Sequence, residues 1–267
     1  MERTALVTGA SSGIGQATAR ELVARGYRVL GTSRSPASLT PRQCTPGVEY
    51  LPLDLASDAS IEALAERLVD VDVLVNNAGE SQSGPIEELP TDALRRLFQV
   101  NVIGPVQLTQ LVLPGMRERG YGRVVMIGSM LASFPLSYRS SYVASKAALK
   151  GFADAARHEF SPYGVWLTTV EPGSINTGIS ERRTRYLRSD SPHRHDFETM
   201  VTALDRNERT GTDARRVART IVTAIEAARP RPRYAVGSNA PLVFALRRLL
   251  PSALVERATH RRHGLRR

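Results

Sequence analysis

The chain is expected to form one α/β domain, a doubly wound parallel sheet of about seven strands flanked by helices. Two observations carry this expectation. Short apolar runs bounded by Gly, Pro or polar residues alternate along the whole sequence with stretches whose apolar residues recur at helical spacing. A glycine-rich loop also joins the first run directly to the first helical stretch, as in crossover units whose helices cover both faces of a parallel sheet.

The elements follow in order. Thr4-Ala-Leu-Val-Thr8 reads as a buried strand running into Gly9-Ala-Ser-Ser-Gly13-Ile-Gly15. In the helix that follows, Ile14, Ala17, Leu22 and Val23 keep roughly helical spacing, and Gly26-Tyr27 ends it at a glycine C-cap. Residues 28–33 and 48–53 are the next strands. Helix 58–69 leads to strand 71–75, and helix 91–113, opening on Thr91-Asp92 as a cap, leads to strand 122–128. Helix 141–161 precedes strand 165–170. Helix 213–228, opening on Thr212-Asp213, precedes strand 233–236. Ligands of such sheets bind beyond the carboxyl ends of the strands, so residues at those ends are candidates for one convergent site.

Composition narrows the class. Net charge is +10, from 36 basic and 26 acidic residues, and the stretch 245–267 holds seven arginines and one glutamate. A basic amphipathic helix over 241–262, with Leu242, Ala245, Leu246, Leu249, Leu250, Leu254 and Val255 on its apolar side, can dock on its own domain, on another subunit or on an anionic membrane surface. Nucleic acid is not an expected partner, because no aromatic interleaving accompanies the charge. No linker, repeat or low-complexity tract divides the chain, so residues 1–240 are assigned to one catalytic domain with a lid at about 176–210, and 241–267 to the tail. The first strand begins near Arg3, and the apolar run 240–246 meets Arg247-Arg248 well before the roughly 20 residues a membrane span requires. A cytoplasmic location without a signal peptide is therefore expected. A lone Cys44 agrees with a reducing compartment. His193-Arg-His195-Asp196 reads as a polar loop, and no metal is assigned.

Two motifs carry chemistry. Glycines at 9, 13 and 15 let the backbone turn tightly and approach a pyrophosphate, whose charge the amides and positive end of the helix stabilise. About 20 residues further on, where an acid would bind the ribose hydroxyl of NAD, the chain has Thr32-Ser33-Arg34. Two hydroxyls and a guanidinium suit a 2′-phosphate, which favours NADP(H) over NAD(H). The second motif is Tyr142-Val-Ala-Ser-Lys146. Only Lys146 and Lys150 are lysines among the 36 basic residues, so a lysine four positions after a tyrosine stands out. On a helix the two share a face. A nearby ammonium favours phenolate over a phenol whose ordinary pKa is about 10, which makes a proton-transfer pair.

Thr8-Gly9-x-x-x-Gly13-x-Gly15, Asn76-Asn77-Ala78-Gly79, Ser129 and Tyr142-x-x-x-Lys146 together resemble the short-chain dehydrogenase/reductase family over essentially the whole chain. The resemblance implies a Rossmann-type fold and an NADP(H)-dependent enzyme interconverting carbonyl and alcohol groups. It implies Tyr142 as acid/base, Ser129 as hydrogen-bond partner of the substrate oxygen, Lys146 as ligand of the nicotinamide ribose, and Asn101 as holder of a helix bend and a proton-relay water. Cofactor contacts carried over are Gly9, Ser11, Ser12, Gly13, Ile14 and Gly15 in the loop, and Ser33 with Arg34 at the second strand. Asp54 and Leu55 fall at the adenine, Asn77, Ala78 and Gly79 after the fourth strand, and Pro172, Gly173, Ile175 and Thr177 on the nicotinamide side, together with Tyr142 and Lys146. A homodimer or homotetramer paired through helices 91–113 and 141–161 is also implied.

Gly128-Ser129, Val170-Glu-Pro-Gly173 and Arg233-Tyr-Ala-Val-Gly237 are similar to the hydroxysteroid and retinol dehydrogenase branch, which implies a bulky apolar ketone or alcohol. The loop 130–138 and the segment from 174 to about 200 are the expected pocket walls. Arg182, Arg183, Arg185, Arg188 and Arg194 in the latter suit a mobile lid and an acidic or carrier-borne substrate. Two alternatives remain open: a non-catalytic NADP(H)-binding regulator, and a membrane-peripheral protein working through the basic tail.

Overall fold

The computed structural model describes residues 2–179 and 181–265. In chain order the strands are β1 (Thr4–Val7), β2 (Arg28–Ser33), β3 (Val48–Pro52), β4 (Val71–Asn76), β5 (Gln82–Ser83), β6 (Gly122–Ile127), β7 (Val165–Pro172), β8 (Ile175–Asn176), β9 (Thr184–Arg185), β10 (Thr212–Asp213) and β11 (Arg233–Val236). The helices are α1 (Gly13–Val23), α2 (Asp58–Glu62), α3 (Thr91–Phe98), α4 (Gly104–Glu118), α5 (Ser140–Phe160), α6 (Arg194–Arg209), α7 (Ala214–Glu226), α8 (Ala240–Leu249) and α9 (Ser252–Arg262).

Seven strands form one sheet in the order β11-β7-β6-β4-β1-β2-β3, and every neighbouring pair is parallel. The chain starts in β1, moves outward to β3 and returns on the other side at β4. The order therefore reverses between β1 and β4, where a crevice opens at the strand ends. Alternate strand residues enter opposite cores. Leu6, Leu30, Leu74, Val124 and Met126 pack with Leu108 and Leu149 beneath α4 and α5. Ala5, Val7, Val29, Val73 and Val75 pack with Val217 and Ile221 of α7 on the other face.

Several expected elements differ in detail. The helix expected over 58–69 is α2 followed by a 3-10 turn at Ala65–Leu68. The tighter i to i+3 bonds Leu64 N–Ile61 O and Arg67 N–Leu64 O accompany the burial of Ile61, Leu64 and Leu68. The helix expected over 91–113 is α3, a π-helical segment at Gln99–Ile103, and α4, which runs on through Pro114 to Glu118. Gly115 then lies against Val69 O, which a Cβ would meet at 2.6 Å. Pro90 stands at the N-cap of α3, so Thr91 caps nothing, whereas Asp213 does cap α7 through Arg215 N at 2.7 Å. Gly26 takes φ +77° and ends α1 as expected.

The tail is a helix pair. Pro251 stands at the break between α8 and α9, because proline disfavours a helical conformation in the residue before it. Both helices fold back on the domain: Phe244 meets Phe134 edge-on at 5.1 Å, and Leu265 joins Leu136, Phe197 and Met200 in a small core. Leu6 is fully buried at the centre of the sheet. Leu6→Ala is expected to lower the unfolding free energy by about 3 kcal/mol, read as a lower urea midpoint with an unchanged denaturant slope.

Candidate active site

The phosphate cradle is built by close backbone approach. A Cβ on Gly15 would lie 2.3 Å from Gly9 O and 2.5 Å from Asn77 Nδ2, so only glycine fits. Gly9 and Gly13 have φ of +67° and +55°, the left-handed region that glycine enters without strain. Asn77 Nδ2 donates to Thr8 O at 2.8 Å, and the Thr8 hydroxyl accepts from Asn77 N and Ala78 N, each at 2.9 Å. The ends of β1 and β4 are thereby stitched together at the crevice. At the end of β2, Thr32 Oγ1 accepts from Gly9 N at 3.3 Å, which leaves Ser33 half-buried and Arg34 exposed on the cavity wall. Asp54 Oδ1 accepts from Ala56 N at 3.0 Å and fixes the turn after β3.

Asn101 sits in the π-helical segment, a device that often re-aims side chains at functional sites. Its Nδ2 donates to Glu80 O at 3.0 Å and to Ser145 Oγ at 3.2 Å, while its Oδ1 accepts from Glu80 N at 2.8 Å. The segment after β4 is thus tied to α5, which carries Tyr142 and Lys146. Ser129 follows β6; its Oγ accepts from Leu131 N at 3.2 Å, and it lines the same cavity as Tyr142. Lys146 Nζ donates to Ile127 O at 2.9 Å and stands 5.9 Å from the Tyr142 ring centroid.

Here the electrostatic expectation needs correction. Burial raises the Tyr142 pKa above its ordinary value, with the Arg139 guanidinium and the Ser129 hydroxyl pulling the other way. Lys146 is not the principal cation acting on the phenol; burial lowers its own pKa to about 8. Arg139, absent from the expected site, lies with its Cζ 4.2 Å from the Tyr142 ring centroid.

One cavity of about 1170 Å³ runs from the glycine loop past Tyr142 to the tail. All the expected site residues line it except Gly15, buried beneath the loop, and Asn101, buried behind Gly79 and 1% exposed. Thr177 crosses back to the cradle: a Cβ on Gly13 would meet its Cβ at 3.2 Å. Gly173 N donates to Val236 O at 2.9 Å, and Ser174 N to Ser238 Oγ at 2.9 Å, which fixes the loop after β7.

The far walls were not expected. Leu246, Leu250, Leu254 and Val255 of the tail face Met130 and Phe134 across this space. The five arginines between 182 and 194 do not crowd it. Arg183 binds Asp205 and Glu208, Arg185 binds Asp205, Arg188 reaches Glu88 and Asp190, and Arg194 pairs with Glu198. Of the five, Arg182 alone lines the cavity. His193 pairs with Glu87 at 2.7 Å.

A parallel sheet that reverses order above a glycine cradle, with a serine, a tyrosine and a lysine at one strand-end cavity, defines a nucleotide-dependent oxidoreductase. The chain belongs to the short-chain dehydrogenase family, whose profile matches residues 3–187. It is 34% identical to human 17-beta-hydroxysteroid dehydrogenase type 1 over 254 residues, covering 88% of this chain and 77% of that one. A short-chain dehydrogenase from Streptomyces avermitilis superposes with a TM-score of 0.80 at 32% identity, covering 98% of each chain. A short-chain dehydrogenase from Burkholderia cenocepacia in complex with NADP gives a TM-score of 0.76 at 26% identity, covering 96% of this chain and 97% of that one. The similarity to the hydroxysteroid branch read in the sequence holds, and the fold is one that binds a nicotinamide cofactor.

Gly15→Ala is expected to weaken dinucleotide binding by at least tenfold and to lower the melting temperature, because the new methyl group must displace Gly9 O or Asn77. Calorimetric titration with NADP+ and NAD+ and a thermal melt check both effects.

Proposed function

We propose that the protein is an NADP(H)-dependent oxidoreductase interconverting a bulky apolar ketone and its secondary alcohol, with Tyr142 as the acid/base. One observation carries the reading: Ser129, Tyr142 and Lys146 line the same cavity as the glycine cradle. The cradle fits a dinucleotide, since the space a Cβ would fill at Gly9, Gly13 and Gly15 is needed for backbone approach. Amides of the Gly9–Gly15 loop would hold the pyrophosphate, Ser33 and Arg34 the 2′-phosphate, and Asp54 and Leu55 the adenine. Asn77, Ala78, Gly79 and Lys146 would serve the ribose side, and Pro172, Gly173, Ile175 and Thr177 the nicotinamide. When bound, the nicotinamide supplies or accepts the hydride.

The chain's own residues supply orientation and the proton. Ser129 and Tyr142 aim hydroxyl donors at the substrate oxygen, where negative charge grows as a carbonyl is reduced, so the contact strengthens toward the transition state. Tyr142 gives up its proton, and the opposite direction uses the same group as a base. Asn101 keeps Glu80 and Ser145 in register behind it.

Apolar substrate preference is supported by the leucines of α8 and α9 that face Phe134, and by the relative named for hydroxysteroid dehydrogenation. Residues 176–210 would act as a lid above them. Pairing of two or four subunits is supported by Ile103 and Phe152, 46% and 51% exposed beside α4 and on α5. Leu249, 81% exposed beside Arg247 and Arg248, supports peripheral contact of the tail with an anionic membrane. Unpaired Cys44 agrees with work in the cytoplasm.

A panel of bulky ketones and secondary alcohols, followed by nicotinamide absorbance with both NADP(H) and NAD(H), tests the activity. Tyr142→Phe is expected to lower turnover by roughly 10³-fold while NADPH binding, read by fluorescence, is kept; substantial residual turnover contradicts the role. Arg34→Leu is expected to weaken NADPH binding by about tenfold and leave NADH unaffected. Equal losses for both cofactors would refute the 2′-phosphate assignment.

A further inference from the structure

Arg139 immediately precedes α5 and is 2% exposed, although it carries a full charge. Its guanidinium lies over the Tyr142 ring, with Cζ 4.2 Å from the centroid. Three bonds hold it there: Nη1 donates to Ser81 Oγ at 3.0 Å, to Gln82 O at 2.8 Å and to Ser83 Oγ at 3.0 Å. Its Nε is buried without a hydrogen-bond acceptor. Taking a guanidinium out of water is costly unless a counter-charge meets it, and no described carboxylate lies within ion-pair distance of this one. The nearest acids on the lid, Asp205 and Glu208, are both bound by Arg183.

We infer that Arg139 is a positioning residue for Tyr142: stacked on the phenol ring and tied to Gln82–Ser83, it holds a buried positive charge against the acid/base group. The inference rests on the proposed role of Tyr142. The charged and titratable groups that act on this pair come from several elements. Lys146 is on the same helix, Arg183, Asp205 and Glu208 belong to the lid, and His263 to the tail. Burial, the largest effect, lowers the His263 pKa below its ordinary value. Burial lowers the Lys146 pKa to about 8 and the Arg139 pKa to about 10, so as pH rises Lys146 sheds its charge first.

The attachment also gives the lid a grip on the phenol. Arg139 is bound to Gln82–Ser83, which pairs with Thr184–Arg185 next to Arg183. Glu208, brought near by the same lid, opposes Arg139 by favouring the neutral phenol.

The sign of the effect is fixed. A cation favours phenolate, so removing it shifts the Tyr142 midpoint to higher pH; removing an anion shifts it to lower pH. The test uses the full chain labelled with [13Cζ]tyrosine and saturated with NADP+. The Tyr142 resonance is identified by its absence in Tyr142→Phe. Arg139→Met is expected to raise the midpoint by about one pH unit or more, Arg139→Lys to stay near wild type, and Glu208→Gln to lower it. An unmoved midpoint in folded Arg139→Met overturns the inference. If Arg139→Met does not fold, Glu208→Gln decides, and a midpoint that stays or rises is the refuting result. Turnover is not needed for this reading, so the two failures separate. Activity surviving in Tyr142→Phe defeats the acid/base role, whereas an inactive Tyr142→Phe with an unresponsive midpoint in Arg139→Met defeats Arg139 alone.

Discussion

The contact between Gly15 and the Gly9 carbonyl is the constraint on which the rest of the molecule depends. Because no side chain intervenes, α1 starts directly against the end of β1 and directs its free amides into the crevice. The same closeness brings Asn77 over the loop, where it bonds Thr8 O and fixes the end of β4. Two strands that are neighbours in space but far apart in sequence are thereby set in register at the point where strand order reverses. From there the chain runs on to Glu80, whose backbone Asn101 holds, and Asn101 in turn binds Ser145 of α5, the helix that carries Tyr142.

Around the reaction centre the protein accepts a heavy electrostatic load. Tyr142, Lys146 and Arg139 are all buried, and two acids whose charge reaches Arg139, Asp205 and Glu208, are bound by Arg183. Such surroundings oppose isolated charge but suit an anionic guest, because buried cations are poorly screened by water. A cofactor bearing phosphates and an oxygen gaining negative charge are both guests of that kind.

Much of this was legible in the sequence, for identifiable reasons. All seven strands of the main sheet are apolar runs closed by glycine, proline or polar residues, and strands buried on both faces look that way. The glycine loop and Tyr142-x-x-x-Lys146 were visible because backbone approach and helical spacing act over a few residues. Other features depend on contacts that spacing does not encode. The π-helical segment around Asn101 and the 3-10 turn at Ala65–Leu68 keep a helix-like polarity pattern, so periodicity reads each as ordinary helix. The break at Pro251 was written in the chain but overridden by the regular leucines on either side of it. Arg139 gave no signal, being one arginine in a chain rich in them; only folding removes it from water. Arg183 and Arg185 looked available for an acidic ligand because their partners, Asp205 and Glu208, come some 20 residues later.

The two helices that close the chain form the far wall of the cavity, while the loop that receives phosphate comes from its first residues. One chamber is thus bounded by both ends of the polypeptide. Anything that grips or displaces α8 and α9 reshapes that chamber without touching the glycine loop.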